Sequence, residues 1–308
     1  MRCSHFVTIR RVGATVLVGG IGEIEKVSPR ESLQVLGRTM RDWDDAYANS
    51  AHVPGADKLP LLWAERAAAY RAGLAAFRPD IAYGSAERQR LDLVLPDGDP
   101  KGLVVFVHGG YWMRFDKASW TDLAEGARRL GCAVALPSYT LTPAARISEI
   151  TAEIAAAIAA AAALVAGPIR LAGHSAGGHL VTRMLCDAGR LEPAVYDRIV
   201  STLSISGLHD LRPLLKTRMN ATLGLTMEEA TAESAALCLP RGRSPLTAWV
   251  GGDERPEFIR QAELMANVWT GFDVPTRLVV EPGHNHFTVV EGLKDPSSPI
   301  TRSLCGID

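Results

Sequence analysis

The chain has 308 residues, of which 47% are hydrophobic and 22% are charged, and its formal net charge at pH 7 is −1. A chain of this length and apolar content can bury the core of one large α/β domain. The balanced charge argues against a nucleic-acid-binding protein and against attraction to an anionic membrane surface. We therefore expect a small-molecule partner.

The first 39 residues differ in pattern from the rest of the chain. An apolar run over 12–21 follows two arginines, but two glutamates come after it instead of a small-residue cleavage site. This run and the alanine-rich stretch 154–166 are both too short to span a bilayer. We expect residues 1–39 to be a poorly ordered extension and residues 40–308 to form a single domain.

The cysteine pattern bears on the cellular compartment. Five cysteines are scattered through the chain without CxxC spacing, which argues against a disulfide framework and against a zinc cluster. Free thiols in the cytoplasm are the simpler interpretation. Neither a GxGxxG motif nor a phosphate loop is present, so no cofactor and no metal are expected.

After an N-terminal arm that is partly helical, with helical spacing over 59–77, strand and helix patterns alternate along the chain. The apolar runs predict strands at 91–95, 103–107, 133–136, 169–172, 199–205, 246–250 and 277–281. Helical spacing occurs at 120–130, 147–165, 178–188 and 257–269. This order predicts an α/β fold with a mostly parallel central sheet and helices on both faces.

Two segments depart from that alternation. The strands at 91–95 and 103–107 are joined by the turn-rich sequence Pro-Asp-Gly-Asp-Pro, which predicts an antiparallel hairpin at the sheet edge. The segment 208–243 interrupts the pattern between two strands and carries two helical stretches, 211–219 and 227–237. We expect it to form a small helical cap beside the sheet.

The strongest chemical signal is the sequence Gly-His-Ser-Ala-Gly at 173–177, which places Ser175 between a predicted strand and a predicted helix. A serine held on such a sharp turn presents its hydroxyl as a nucleophile, and the glycines remove side chains that would clash there. A second glycine turn, His-Gly-Gly-Tyr-Trp at 108–112, follows another strand. The backbone N–H groups of Gly109, Gly110 and Ala176 are the candidate oxyanion donors, while His108 is expected to hold the loop.

A serine nucleophile needs a base and an acid that orients the base. Both His284 and His286 follow the last predicted strand, where the base of such an enzyme lies. Their paired spacing could also suggest a metal, but no carboxylate or cysteine cluster accompanies them. His179 should point away from the site, on the helix after Ser175, and His209 lies at the start of the cap.

The acid is expected at the carboxyl end of a strand, from which it can reach the base. Asp253 follows the strand at 246–250 and is the preferred candidate. Asp210 could serve instead, although it also suits a helix N-cap. Glu254 is a weaker alternative, since it could serve the helix that follows.

With these residues assembled, the sequence resembles the kynurenine formamidase (arylformamidase) group of α/β-hydrolases, close to the hormone-sensitive-lipase-like esterases. The resemblance covers about residues 42–295 and rests on the motifs HGGYW, SYTLTP, GHSAGGH, SGLHDLRPLL, GDERPEF and NHF. It implies a triad of Ser175, Asp253 and His286, and it favours His286 over His284. It also implies that Tyr111 and Trp112 border an aromatic substrate. The tyrosine of HGGY departs from the HGGG of many lipases.

Three hypotheses of function follow. The first is hydrolysis of an aryl formamide, above all N-formyl-L-kynurenine, to kynurenine and formate. The second is a carboxylesterase or thioesterase acting on short acyl groups, because both reactions pass through one tetrahedral oxyanion. The third is a binding protein on a hydrolase fold, which the complete set of triad candidates disfavours. Hydrolases of this kind often form homodimers, so a homodimer is one expected assembly.

Overall fold

The computed structural model describes residues 41–187 and 190–307, together with the backbone of a two-stranded hairpin nearer the N-terminus. In that hairpin β1 (Ile9–Arg11) pairs antiparallel with β2 (Ala14–Val16). It belongs to a unit of residues 1–42, and residues 43–308 form a second, compact unit. Apart from the hairpin, the predicted extension at 1–39 lies outside the described residues.

The second unit is built on one eight-stranded sheet. Its strands are β3 (Phe77–Ala82), β4 (Arg90–Val94), β5 (Leu103–Val107), β6 (Ala133–Pro137), β7 (Ile169–His174), β8 (Ile199–Ile205), β9 (Leu246–Gly251) and β10 (Thr276–Glu281). The order across the sheet is β10-β9-β8-β7-β5-β6-β4-β3. The six strands from β10 to β6 are parallel, whereas β4 and β3 run antiparallel to their neighbours. The predicted fold class is confirmed.

The predicted hairpin between β4 and β5 is wrong, because β4 has other partners. β4 is antiparallel as expected, but it pairs with β6 through Leu93 and Ala135 and with β3 on its other side, not with β5. Leu91, Leu93 and Val94 are all at most 1% exposed, which fits the interior position of β4 between β6 and β3. The edge strand β3 was not predicted, because the helical spacing extends to residue 77. Its sequence contains a proline, and its register with β4 shifts between Arg78 and Ile81.

Helices cover both faces of this sheet. They are α1 (Trp43–Ala46), α2 (Leu59–Ala72), α3 (Glu125–Arg129), α4 (Ile147–Leu164), α5 (Ala176–Arg183), α6 (Pro193–Tyr196), α7 (Asn220–Leu223), α8 (Met227–Ala232), α9 (Pro256–Thr270) and α10 (Pro299–Cys305). Alternate residues of β5 serve different cores: Val105 packs with one apolar cluster, and Val104 and Phe106 with the other. This alternation is what a sheet buried on both faces requires.

One helix, α4, is long and apolar enough to cross a membrane by length and composition alone. Half of its apolar window is buried inside the protein, and Ile147, Ile150, Ile154 and Ile158 are fully buried in the core. These contacts are those of a core helix packed on the sheet.

The segment between β8 and β9 consists of short helical pieces, close to where the cap is predicted. Two 3-10 turns, Arg212–Lys216 and Ala235–Leu237, flank α7 and α8. Leu211, Leu214 and Ala230 are fully buried against the core. The segment is therefore packed firmly onto the sheet domain.

Candidate active site

Ser175 lies on a tight turn between β7 and α5. Its backbone has φ of 57° and ψ of −117°, a strained conformation for a residue with a side chain. A Cβ on Gly177 would lie 1.9 Å from the carbonyl oxygen of Val107, so only glycine permits this approach. Ser175 is among the residues that line a cavity beside this turn.

The glycine turn after β5 lies directly against that serine. A Cβ on Gly109 would sit 2.9 Å from the Cβ of Ser175 and 2.8 Å from the carbonyl oxygen of His174. Among the described residues, the N–H groups of Gly109, Gly110 and Ala176 donate none of the backbone hydrogen bonds that turns, loops and helix ends form. These three groups, two at the turn and one at the N-terminus of α5, are the candidate donors to an oxyanion.

His108 holds this turn, as expected. Its Nδ1 lies 2.8 Å from the carbonyl oxygen of Gly109, and its ring stacks on Tyr139 with centroids 4.4 Å apart. Burial lowers the pKa of His108 to about 4, so the ring stays neutral near pH 7. The role is structural.

His286 reaches the same cavity from the turn after β10. It is 4% exposed, and its Nδ1 lies 2.7 Å from Oε2 of Glu254. Because a carboxylate only accepts hydrogen bonds, Nδ1 carries the proton and Nε2 is left with a lone pair. Ser175 and His286 therefore meet at one cavity, with the imidazole oriented by an acid.

The prediction that Asp253 orients the base is wrong in this structure. Asp253 is exposed, whereas the neighbouring Glu254 is buried and also accepts hydrogen bonds at Oε1 from Ser206 Oγ (2.5 Å) and Gly251 N (2.9 Å). The turn after β9 aims the second of the two adjacent acids inward, and the extra methylene of glutamate spans the distance to His286. Sequence analysis missed Ser206 altogether.

The other candidates lie elsewhere. The Nδ1 of His284 faces the carbonyl oxygen of Thr288 at 3.2 Å, while Asp210 pairs with Arg212. His179 is buried away from the cavity with Nε2 2.7 Å from the carbonyl oxygen of Glu233, as predicted. His209 is buried beside Ser204.

The two aromatic residues of the HGGYW motif have different fates. Tyr111 lines the cavity and donates a hydrogen bond to the carbonyl oxygen of Tyr47. Trp112 does not border the cavity: it is fully buried and packs edge-on against His179. The left-handed backbone of Trp112, with φ of 56°, accompanies this inward packing, so its predicted role at the substrate is wrong.

Other aromatic residues form the walls of the cavity. It has a volume of about 880 Å³ and is lined by Trp63, Phe115, Trp120 and Phe287. The ring of Trp63, on α2, lies 4.8 Å from that of Trp120 and 5.7 Å from that of Phe287. Residues from the N-terminal arm thus complete a site whose chemistry comes from distant loops, and no local motif marks them.

Two arginines line the cavity, and they differ in whether a carboxylate pairs with them. Arg218, from the segment between β8 and β9, forms an ion pair with Asp44 at 3.0 Å. Arg114 is exposed, lies over the ring of Phe115 at 5.7 Å, and has no carboxylate partner among the described residues. The cavity therefore holds a guanidinium that is available to an anionic ligand.

Comparisons with known proteins identify the fold family and the relatives of the chain. The family model for the alpha/beta hydrolase fold matches residues 104–289. Kynurenine formamidase from Danio rerio is 29% identical over 237 residues, covering 73% of this chain and 80% of the relative. The protein of the same name from Salmo salar is 26% identical, with coverages of 75% and 82%.

Solved structures share the fold. A thioesterase candidate from Silicibacter sp. TM1040 is 47% identical, with a TM-score of 0.83, and the match covers 86% of this chain and 99% of that chain. Esterase B from Lactobacillus rhamnosis, at 16% identity and a TM-score of 0.59 over 83% of this chain and 91% of its own, shares the fold. The chain belongs to the α/β-hydrolase fold family and is a hydrolase that resembles the kynurenine formamidases.

Proposed function

We propose that the chain hydrolyses aryl formamides, with N-formyl-L-kynurenine as its preferred substrate and kynurenine and formate as its products. The observation that carries the proposal is the aromatic cavity around Ser175 and His286, whose lining includes Arg114, a guanidinium without a carboxylate partner among the described residues. The relatives named kynurenine formamidase, at 24% to 29% identity, support it.

In the proposed mechanism the hydroxyl of Ser175 attacks the formyl carbon while Nε2 of His286 takes up its proton. The oxyanion is stabilised by the N–H groups of Gly109, Gly110 and Ala176. His286 then returns the proton to the departing aryl nitrogen, which leaves a formyl ester on the serine. Water, activated by the same imidazole, cleaves that ester and restores the enzyme. Glu254 stabilises the imidazolium in both steps.

The cavity suits each part of this substrate. The formyl group is very small and would fit against Gly109, beside Ser175. The aryl ring would pack among Trp63, Trp120 and Phe287, since aromatic pairs are stabilised beyond their buried area. The α-carboxylate would pair with Arg114.

A second candidate is hydrolysis of a short acyl ester or thioester. It is favoured by the 47% identity to the thioesterase candidate, and the same serine, histidine and oxyanion donors would serve it.

The test compares kcat/KM for N-formyl-L-kynurenine, p-nitrophenyl acetate, p-nitrophenyl butyrate and a short acyl thioester, with Ser175→Ala as the control. The proposal expects formylkynurenine to give the highest value and the alanine variant to be inactive on every substrate. Brisk ester or thioester cleavage with background turnover of formylkynurenine would reject the formamidase and favour the second candidate.

Two further proposals concern the setting of the enzyme. We propose that it works in the reducing cytoplasm, since all four described cysteines are free thiols. We also propose that it forms a homodimer, which size-exclusion chromatography with light scattering would test.

A further inference from the structure

One motif residue is left without a role in the proposed reaction: His174, which immediately precedes Ser175. It ends β7, its side chain is buried, and its ring is among those that line the cavity. Its Nε2 lies 2.8 Å from the backbone carbonyl oxygen of His286. The residue before the nucleophile is thus bonded to the residue that carries the base.

The partner atoms determine the state of this imidazole. A carbonyl oxygen only accepts, so Nε2 carries a proton and donates it. Nδ1 is buried and has no hydrogen-bond partner among the described atoms, so a proton there would be unpaired. Burial, reinforced by the proximity of His286, holds the pKa of His174 well below its usual range. His174 is therefore a neutral donor that takes no part in proton transfer.

The same contact brings the two imidazoles together. The ring of His174 lies 4.6 Å from that of His286, and Phe258 packs on His286 at 4.5 Å. Glu254 holds His286 by a hydrogen bond to the ring nitrogen of His286. His174 holds the same residue by a hydrogen bond to its backbone carbonyl oxygen. A Cβ on Gly109 would lie 2.8 Å from the carbonyl oxygen of His174, so this one residue borders the loops that carry Gly109, Ser175 and His286.

We propose that His174 is a positioning residue. Its Nε2–H donates to the carbonyl oxygen of His286 and so positions the imidazole of His286 relative to Ser175. The inference rests on the proposed roles of Ser175 and His286. It concerns geometry alone, so it holds for any acyl substrate that the enzyme accepts. Misplacement of a catalytic group by about 1 Å costs about 100-fold in rate.

The protein offers a matched control in His179. It is also buried and also neutral, and its Nε2 also faces a backbone carbonyl oxygen, that of Glu233, at 2.7 Å. That partner lies away from the cavity. His174→Leu and His179→Leu therefore remove the same kind of bond from the same kind of surroundings, and only the first touches the base.

The experiment measures turnover of p-nitrophenyl acetate per active site, with sites counted by complete titration with a p-nitrophenyl phosphonate. We expect His174→Leu to lose about 10- to 100-fold in kcat with KM within about twofold of wild type. His179→Leu should keep wild-type kcat per titrated site, even if less of it folds. His174→Gln, whose amide can still reach the carbonyl, should recover most of the loss, and the shorter His174→Asn should not.

The outcomes distinguish a failure of the positioning role of His174 from a failure of the proposed function. Wild-type kcat per titrated site in His174→Leu, or equal losses in the leucine variants of His174 and His179, would overturn the positioning role. If His174→Leu yields no titratable protein, the comparison of His174→Gln with His174→Asn decides, and equal kcat in the two overturns it. A wild-type enzyme that the phosphonate does not label at Ser175 would instead reject the proposed function itself.

Discussion

The identity of the orienting acid gives the sharpest quantitative expectation. Glu254→Gln keeps the shape of the side chain but removes its charge, 2.7 Å from Nδ1 of His286. When the ring becomes an imidazolium, two charges about 4 Å apart at an effective dielectric constant of about 20 attract each other by about 4 kcal/mol. Losing that attraction should lower kcat roughly 1,000-fold.

The assay is steady-state hydrolysis of p-nitrophenyl acetate and N-formyl-L-kynurenine, normalised to phosphonate-titrated sites. Asp253→Asn is the matched control, since that side chain is adjacent in sequence but exposed, and its kcat should stay within about twofold of wild type. The reasoning would be refuted if Asp253→Asn lost activity by orders of magnitude while Glu254→Gln kept it.

Three further expectations follow from the site and the core. Gly109→Ala should lose about 100-fold in kcat at saturating substrate, because its Cβ would lie 2.9 Å from the Cβ of Ser175 and displace the oxyanion loop; unchanged kcat would contradict that packing. Arg114→Gln should raise KM for formylkynurenine about fivefold, as expected of an exposed ion pair, but not KM for formanilide, which lacks a carboxylate. An equal rise in KM for both substrates would contradict the pairing of Arg114 with the carboxylate. Burial lowers the pKa of four histidines below 6.5: His108, His174, His179 and His209. Above pH 6.5 these histidines are neutral in both the folded and the unfolded protein. Below pH 6.5 they bind protons in the unfolded chain but stay neutral in the folded one. The free energy of unfolding should then fall by about 1.4 kcal/mol per pH unit for each histidine. Urea titrations at pH 7 and pH 5 check this, and a constant midpoint would contradict it.

The fold class and the turn that carries Ser175 were predictable because they depend on local patterns. Ser175 stands in a turn whose glycines can be read directly from the sequence, and apolar runs mark seven of the eight main-sheet strands. His286 was harder to identify, since His284 lies in the same turn after the last strand. The resemblance to a family, and not the residues alone, separated the two.

What the sequence left undecided depends on the direction in which side chains point after a turn. Asp253 and Glu254 are adjacent acids, and the twist of the turn after β9 decides which is buried. Trp112 has a left-handed backbone that accompanies its inward packing, which composition does not reveal. The wall formed by Trp63 requires α2 to pack against Phe115 and Trp120. Because these residues are distant from Trp63 in the sequence, no local pattern encodes the contact.

The central claim, that Ser175 is the nucleophile activated by His286, is tested most directly by intact-mass and peptide mapping after treatment with the phosphonate. We expect one phosphonyl group per chain, on the peptide that contains Ser175, with complete loss of formylkynurenine hydrolysis. Labelling at another residue, or full turnover by the Ser175→Ala variant, would contradict the claim.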